Sequence, residues 1–137
     1  MIRYIEGDIL ASDAQALVNT VNTVGVMGKG IALQFKKAFP NNFKAYFDAC
    51  KSGTIGIGKL FITHDSNLNV GDKIIVNFPT KKDWRKPAEY SFIEKGLDDL
   101  VKVISDLQIK SIAIPPLGAG NGGLEWEKVK KIIEQKL

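Results

Sequence analysis

Between residues 16 and 39 the chain passes from an apolar segment through a glycine-rich loop into an amphipathic one. The loop reads Asn19-Thr20-Val21-Asn22-Thr23-Val24-Gly25-Val26-Met27-Gly28-Lys29-Gly30, and Ile31-Ala32-Leu33-Gln34-Phe35 follows. This order most constrains the fold, because a strand that ends in such a loop and restarts as a helix is the unit of an α/β sheet. Its three glycines let a ligand approach bare backbone. The helix that follows aims its free N–H groups at the same place, and Asn19 and Asn22 point two amides toward it. The combination suits a polyanionic nucleotide better than a packed core.

The same alternation runs along the rest of the chain. Ile2–Ile5, Ala16–Thr20, Lys59–Thr63, Lys73–Phe78 and Ser111–Pro115 read as strands. The run Ile74-Ile75-Val76 is continuously apolar, as in a sheet buried on both faces. Gly30–Phe39 reads as a helix ended by Pro40, and Asn42–Lys51 as a second closed by Gly53. Glu89–Leu107 is a long amphipathic helix with Phe92, Ile93, Leu97, Leu100, Val101 and Ile104 on one side, and Glu125–Leu137 is the last helix. The pattern predicts a three-layer α/β/α sandwich in one domain over residues 1–137. In such sheets ligands bind beyond the carboxyl ends of the strands.

A second glycine loop, Pro115-Pro116-Leu117-Gly118-Ala119-Gly120-Asn121-Gly122-Gly123-Leu124, joins the last strand to the last helix. It matches G-x-G-x-x-G formally. The dinucleotide reading needs an acidic residue about 20 positions on within a βαβ unit, and the chain ends 14 residues after Gly123. What remains is a turn whose N–H groups cradle phosphate. The first loop is not a Walker motif, since Gly30 follows Lys29 where Ser or Thr would hold magnesium. Asp8, just past the first apolar segment, reads either as a turn residue or as an acceptor for an exocyclic amine such as that of adenine.

A third stretch, Asn77-Phe78-Pro79-Thr80-Lys81-Lys82-Asp83-Trp84-Arg85-Lys86-Pro87, leaves a strand at its carboxyl end. Cations around one Trp suit single-stranded nucleic acid, and a solvated charged loop has the same composition. A lysine at a strand end does chemistry when burial or cationic neighbours lower its pKa, and Lys82 and Arg85 are the expected neighbours of Lys81.

Bulk properties narrow the classes. The net charge is +4, compatible with nucleic acid without demanding it. With one Cys, Cys50, and one His, His64, there is no internal disulfide and no Cys/His metal spacing. No apolar run is long enough to span a bilayer. The N-terminus carries Glu6 and Asp8 and lacks a signal-peptide apolar region. These features set the expectation of a cytoplasmic protein.

At this point the residues resemble the macrodomain family, which binds ADP-ribose on an α/β/α sandwich with a mixed, mostly parallel sheet. Gly7-Asp8-Ile9 matches the adenine-contacting motif, Asn19–Gly30 the loop lining the distal ribose, and Gly118–Leu124 the phosphate loop; the likeness runs from Met1 to about Val129. The wording of the three stretches is similar to the DarG-type antitoxin branch, whose members remove ADP-ribose from DNA bases and so reverse a DarT-type toxin. The resemblance implies a glycohydrolase acting on ADP-ribosylated single-stranded DNA, thymidine foremost, with Lys81 as the catalytic lysine and Asn22 orienting the distal ribose. ADP-ribose would contact Asp8, Ile9, Asn19, Gly25, Val26, Met27, Gly28, Lys29, Gly30, Pro116, Leu117, Gly118, Ala119, Gly120, Asn121, Gly122, Gly123 and Leu124. Trp84, Arg85 and Lys82 would meet the DNA.

No metal is implied, since ligand clusters are missing, and no cofactor or membrane is expected; the resemblance favours a monomer. A lysine-dependent relative also uses an aspartate in the second loop, where this chain has Gly122, which favours the DNA-directed branch. Macrodomains usually end with another strand after the last helix, and the branch carries a second, toxin-neutralising domain. The expectation here is a domain shortened at its C-terminal edge. Lys81 has two open roles, as an ammonium on the departing base or as an amine at the anomeric carbon. The competing readings are a non-catalytic ADP-ribose reader, a hydrolase of protein-linked ADP-ribose or O-acetyl-ADP-ribose, and a general single-stranded nucleic-acid binder.

Overall fold

A computed structural model describes residues 1–137. Four strands form one sheet: β1 (Ala16–Asn22), β2 (Phe61–Asn67), β3 (Gly71–Lys81) and β4 (Ile112–Ala113), in the order β2-β3-β1-β4. β3, β1 and β4 run parallel, and β2 pairs antiparallel with β3. The helices are α1 (Gly30–Ala38), α2 (Pro40–Lys51), α3 (Tyr90–Asp106) and α4 (Trp126–Lys136).

Strand alternation divides the core. Ala16 and Val18 of β1 and Ile74, Val76 and Phe78 of β3 pack against Ile93, Leu97 and Leu100 of α3 and Val129 and Ile133 of α4. Leu17 and Ile75 point the other way, onto Phe35 and Phe39 at α1. Both faces of the central pair are therefore dry, as the unbroken apolar runs require. The result is the expected three-layer sandwich with a mixed, mostly parallel sheet. α3 lies so close to β3 that a Cβ on Gly96 would meet the Phe78 ring at 2.2 Å.

Several boundaries differ from the sequence reading. Ile2–Ile5 is not a strand. Residues 1–7 belong to no helix or strand and enter no backbone–backbone hydrogen bond, since no strand lies alongside to supply a ladder. Tyr4 instead packs edge-on against Trp126, with their ring centroids 6.4 Å apart. Pro40 ends α1 but also opens α2, where its missing N–H costs nothing. Asp65 of β2 caps that helix from outside: its carboxylate accepts from the Asn42 N–H at 2.9 Å and from Asn41 Nδ2 at 3.3 Å. β2 begins two residues later than expected and extends to Asn67, because β3 starts at Gly71 and pairs along that whole length. Val101 is exposed rather than in the core of α3.

One irregularity positions the site. Val21 of β1 faces Pro79 of β3, but the next residue, Asn22, faces Lys81. Pro79 has no N–H for the ladder, and the register slips past Thr80 as a bulge. The slip sets Asn22 and Lys81 opposite one another at the carboxyl end of the sheet.

Candidate functional site

A cleft of about 310 Å³ opens over the carboxyl ends of β1 and β3. Its walls are the first loop and the start of α1 (Val26, Gly28, Lys29, Ile31, Ala32), the strand ends (Thr20, Val21, Asn22, Thr80, Lys81), Trp84, and the second loop (Pro115, Pro116, Gly118–Gly122). Lys29 and Lys81 are the ionisable side chains that line it; no carboxylate, His or Cys does.

The first loop is folded around Asn22. Asn22 Oδ1 accepts from the Val24 and Val26 N–H groups at 3.1 and 3.3 Å, and its Nδ2 donates to the Val26 carbonyl at 2.7 Å. From beneath, the fully buried Tyr46 hydroxyl donates toward the Asn22 carbonyl at 2.8 Å and Oδ1 at 3.0 Å. Burial, more than anything else, raises the Tyr46 pKa above its ordinary value. Thr23 ties the loop to the end of β3 by donating its N–H and hydroxyl to the Lys82 carbonyl, at 3.2 and 2.6 Å. α1 then begins with no side chain capping its first turn, and Lys29, Ile31 and Ala32 line the cleft. Open helical N–H groups beside a cleft make an anion site.

The second loop closes the other side. Gly118 adopts φ +72°, and a Cβ there would meet Leu124 Cδ1 at 2.8 Å and Ile93 Cδ1 at 3.1 Å, so only glycine fits between loop and α3. The Ala88 N–H donates to the Gly122 carbonyl at 2.9 Å and holds the turn down. The loops meet where Gly30, at φ +61°, faces Asn121: a Cβ on Gly30 would lie 2.7 Å from Asn121 Nδ2.

Lys81 spans the cleft. Its Nζ donates to the Asn121 carbonyl at 2.9 Å. Partial burial, and then the Lys29 ammonium, push its pKa below the ordinary lysine value. The neighbours expected from sequence, Lys82 and Arg85, do not supply this effect. The Lys82 ammonium sits 5.6 Å from the centroid of the Phe92 ring and lines neither the cleft nor its mouth. Arg85 is held by Asp83 through Nε–Oδ1 at 3.0 Å and Nη2–Oδ2 at 2.8 Å, and these bonds hold the Asp83 carboxyl well below the usual carboxylate range.

Of the residues named from sequence, Asn22, Val26, Gly28, Lys29, Pro116, Gly118, Ala119, Gly120, Asn121, Gly122, Lys81 and Trp84 line the cleft. Arg85 lines a groove at its mouth. Gly25, Gly30, Gly123 and Leu124 belong to the loops without lining it. Met27 and Leu117 are core residues. Asn19 is fully buried, with its amide against Met27 Sδ at 3.8 Å and its Oδ1 without a partner. The two loop amides therefore do not converge on one ligand. Asp8 lies outside the cleft lining and caps the short 3-10 turn Ile9–Ala11, accepting from the Leu10 N–H at 3.0 Å; Ile9 packs on the Leu17–Phe35 cluster. Thr20, Thr80 and Ile31 line the cleft without having been singled out. Their position at strand ends and at a helix start was the available signal.

Comparison with known proteins places these features among relatives. Residues 18–133 match the Macro domain family. The chain is 53% identical over its full length to a DNA ADP-ribosyl glycohydrolase of Thermus aquaticus, covering 38% of that protein. It is 57% identical over 131 residues to a DNA ADP-ribosyl glycohydrolase of Mycobacterium tuberculosis, covering 37% of it. The chain thus spans little more than a third of the length of these relatives. The macrodomain of Mycobacterium tuberculosis DarG superposes with a TM-score of 0.95 at 55% identity, over 99% of this chain and 89% of that one. Thermosipho africanus DarTG in complex with ADP-ribose superposes at 0.88 and 39% identity, over 96% of this chain and 38% of that one.

Proposed function

This chain belongs to the Macro domain family, and on that premise we propose that it removes ADP-ribose from modified DNA bases, thymidine foremost. ADP-ribose lies with its pyrophosphate between the two glycine loops and its distal ribose beneath Lys81, and the modified base projects toward Trp84. The names of the relatives, DNA ADP-ribosyl glycohydrolases at more than half identity, support the substrate. A relative that fuses a DNA ADP-ribosyl transferase to the glycohydrolase supports pairing with the enzyme that writes the mark, as an antitoxin to it.

The observation that carries the reading is the lining of the cleft. Glycoside hydrolases ordinarily work with two carboxylates, and none faces this cleft. Lys81 is left to do the work, with a lowered pKa and a reach to the opposite wall. Its amine attacks the anomeric carbon as the bond to the base nitrogen breaks, and the base leaves with the proton that the amine sheds. The glycosyl-lysine opens to an imine. Water hydrolyses the imine, which frees ADP-ribose and restores the amine. The scheme uses no cofactor. Uncapped N–H groups at the start of α1 and the N–H groups of the second loop hold the pyrophosphate. Asn22 shapes the loop over the distal ribose.

The test is release of ADP-ribose from a thymidine-ADP-ribosylated single-stranded oligonucleotide. The wild type is expected to return unmodified DNA. Lys81→Ala should lose about 100-fold or more of the rate, and Lys82→Ala should keep it. Borohydride added during turnover should fix a covalent adduct on the wild type and none on Lys81→Ala. A wild type that releases nothing ends the hydrolase reading. Full activity in Lys81→Ala ends the assignment of Lys81.

A further inference from the structure

We propose that the groove at the mouth of the cleft grips a DNA phosphodiester beside the modified nucleotide, through Lys29 and Lys86. It thereby selects an oligonucleotide over an ADP-ribosylated nucleoside or peptide. The inference rests on the DNA reading above and adds where the strand outside the cleft is held.

The groove, of about 470 Å³, shares Lys29, Lys81, Trp84 and Asn121 with the cleft and adds Arg85, Lys86 and Pro87. Its cations are not equivalent. Arg85 is matched by Asp83, and Lys81 is turned onto the Asn121 carbonyl. Lys29 and Lys86 form no ion pair; the Lys86 ammonium acts on Asp83 only through space, while the hydrogen bonds of that carboxylate go to Arg85. Two ammonium groups without a bonded carboxylate therefore share a groove with Trp84, which is 47% exposed and has the Arg85 guanidinium 5.5 Å from its ring centroid. Cations for phosphates beside a ring for a base are the elements of a single-strand site. A peptide carrying ADP-ribose brings no obligatory negative charge to this position, whereas a nucleotide in a strand brings a phosphate on each side.

Two phosphates neutralised on a single strand give a slope of log K against log salt of about −1.4, so that going from 50 to 200 mM salt costs about 7-fold. Loss of one cation lowers the slope to about −0.7 and the cost to about 2.6-fold. The experiment measures kcat/KM at both salt concentrations for the wild type and Lys86→Gln. The substrates are an ADP-ribosylated pentanucleotide, ADP-ribosyl thymidine and an ADP-ribosylated peptide. ADP-ribosyl thymidine reports whatever salt dependence the cleft itself has, and the difference between it and the pentanucleotide reports the groove.

The wild type should prefer the pentanucleotide, with the extra salt dependence given above. Lys86→Gln should lose about half of that extra slope and turn over ADP-ribosyl thymidine as the wild type does. Equal salt dependence on the two DNA-derived substrates overturns the groove while leaving the hydrolase reading intact, as does an unchanged slope in Lys86→Gln. A peptide turned over as well as the pentanucleotide overturns the selectivity. Inactivity on all three overturns the hydrolase reading and the groove with it.

Discussion

Tyr46→Phe separates the support of the first loop from its contact surface. The ring of Tyr46 fills the core between Val21 and Met27, and Phe keeps that volume, so no cavity forms. What disappears is one buried hydroxyl that donates toward the Asn22 carbonyl at 2.8 Å and Oδ1 at 3.0 Å. Oδ1 retains the Val24 and Val26 N–H groups, so the main loss falls on the carbonyl. Leaving a buried acceptor short of its donor costs about 1–3 kcal/mol, and the retained bonds put the value near 1.5 kcal/mol. At about 2.1 cal/mol/K per residue, a chain of 137 residues has an unfolding entropy of about 0.29 kcal/mol/K, so Tm should fall by about 5 °C. Calorimetry measures that, and titration calorimetry with ADP-ribose measures the second effect. Asn22 carries the loop, so affinity should fall several-fold at temperatures where the variant is fully folded. A Tm within 1 °C of wild type together with unchanged affinity would refute the claim that Tyr46 holds Asn22 and Asn22 holds the loop.

Lys29→Gln removes the positive neighbour of Lys81 and so raises the Lys81 pKa. A rate that needs the free amine rises with pH through that pKa, so the rising limb of the pH–rate profile should move to higher pH; a limb that stays in place or moves lower counts against the electrostatic coupling. Gly96→Ala drives a methyl into the Phe78 ring and should lower stability in urea by about 1–3 kcal/mol, with ADP-ribose affinity of the folded protein unchanged. Asp65→Ala strips the external cap from α2 and leaves the Asn42 N–H unpaired. A loss of about 1–2 kcal/mol is expected, with faster amide exchange in the first turn of α2 as the local readout.

Much of this protein is legible locally. Gly30 and Gly118 mark loops because their backbone angles or close neighbours exclude a side chain, and such demands are written at single positions. The apolar runs of β1 and β3 give a sheet covered on both faces, since burial on two sides removes the polar alternation. The reading of Ile2–Ile5 as a strand fails for the complementary reason. A strand is a property of a pair, and a segment cannot announce whether a partner will lie beside it.

The same division runs through the site. The sequence alone placed two glycine-rich loops and Lys81 at the carboxyl ends of strands. Only the tertiary structure put Asn22 opposite Lys81, through a bulge at Pro79 that depends on cross-strand register. It also made Lys29, 52 positions away in the chain, the cation that shifts Lys81, and turned adjacent Lys82 out toward Phe92. Lys82 lies just past the last residue of β3 and lines no part of the cleft, while residues far apart in the chain share it. Charges and hydrogen bonds act through space, so the chemistry of the cleft was settled by the packing of the sheet and its loops.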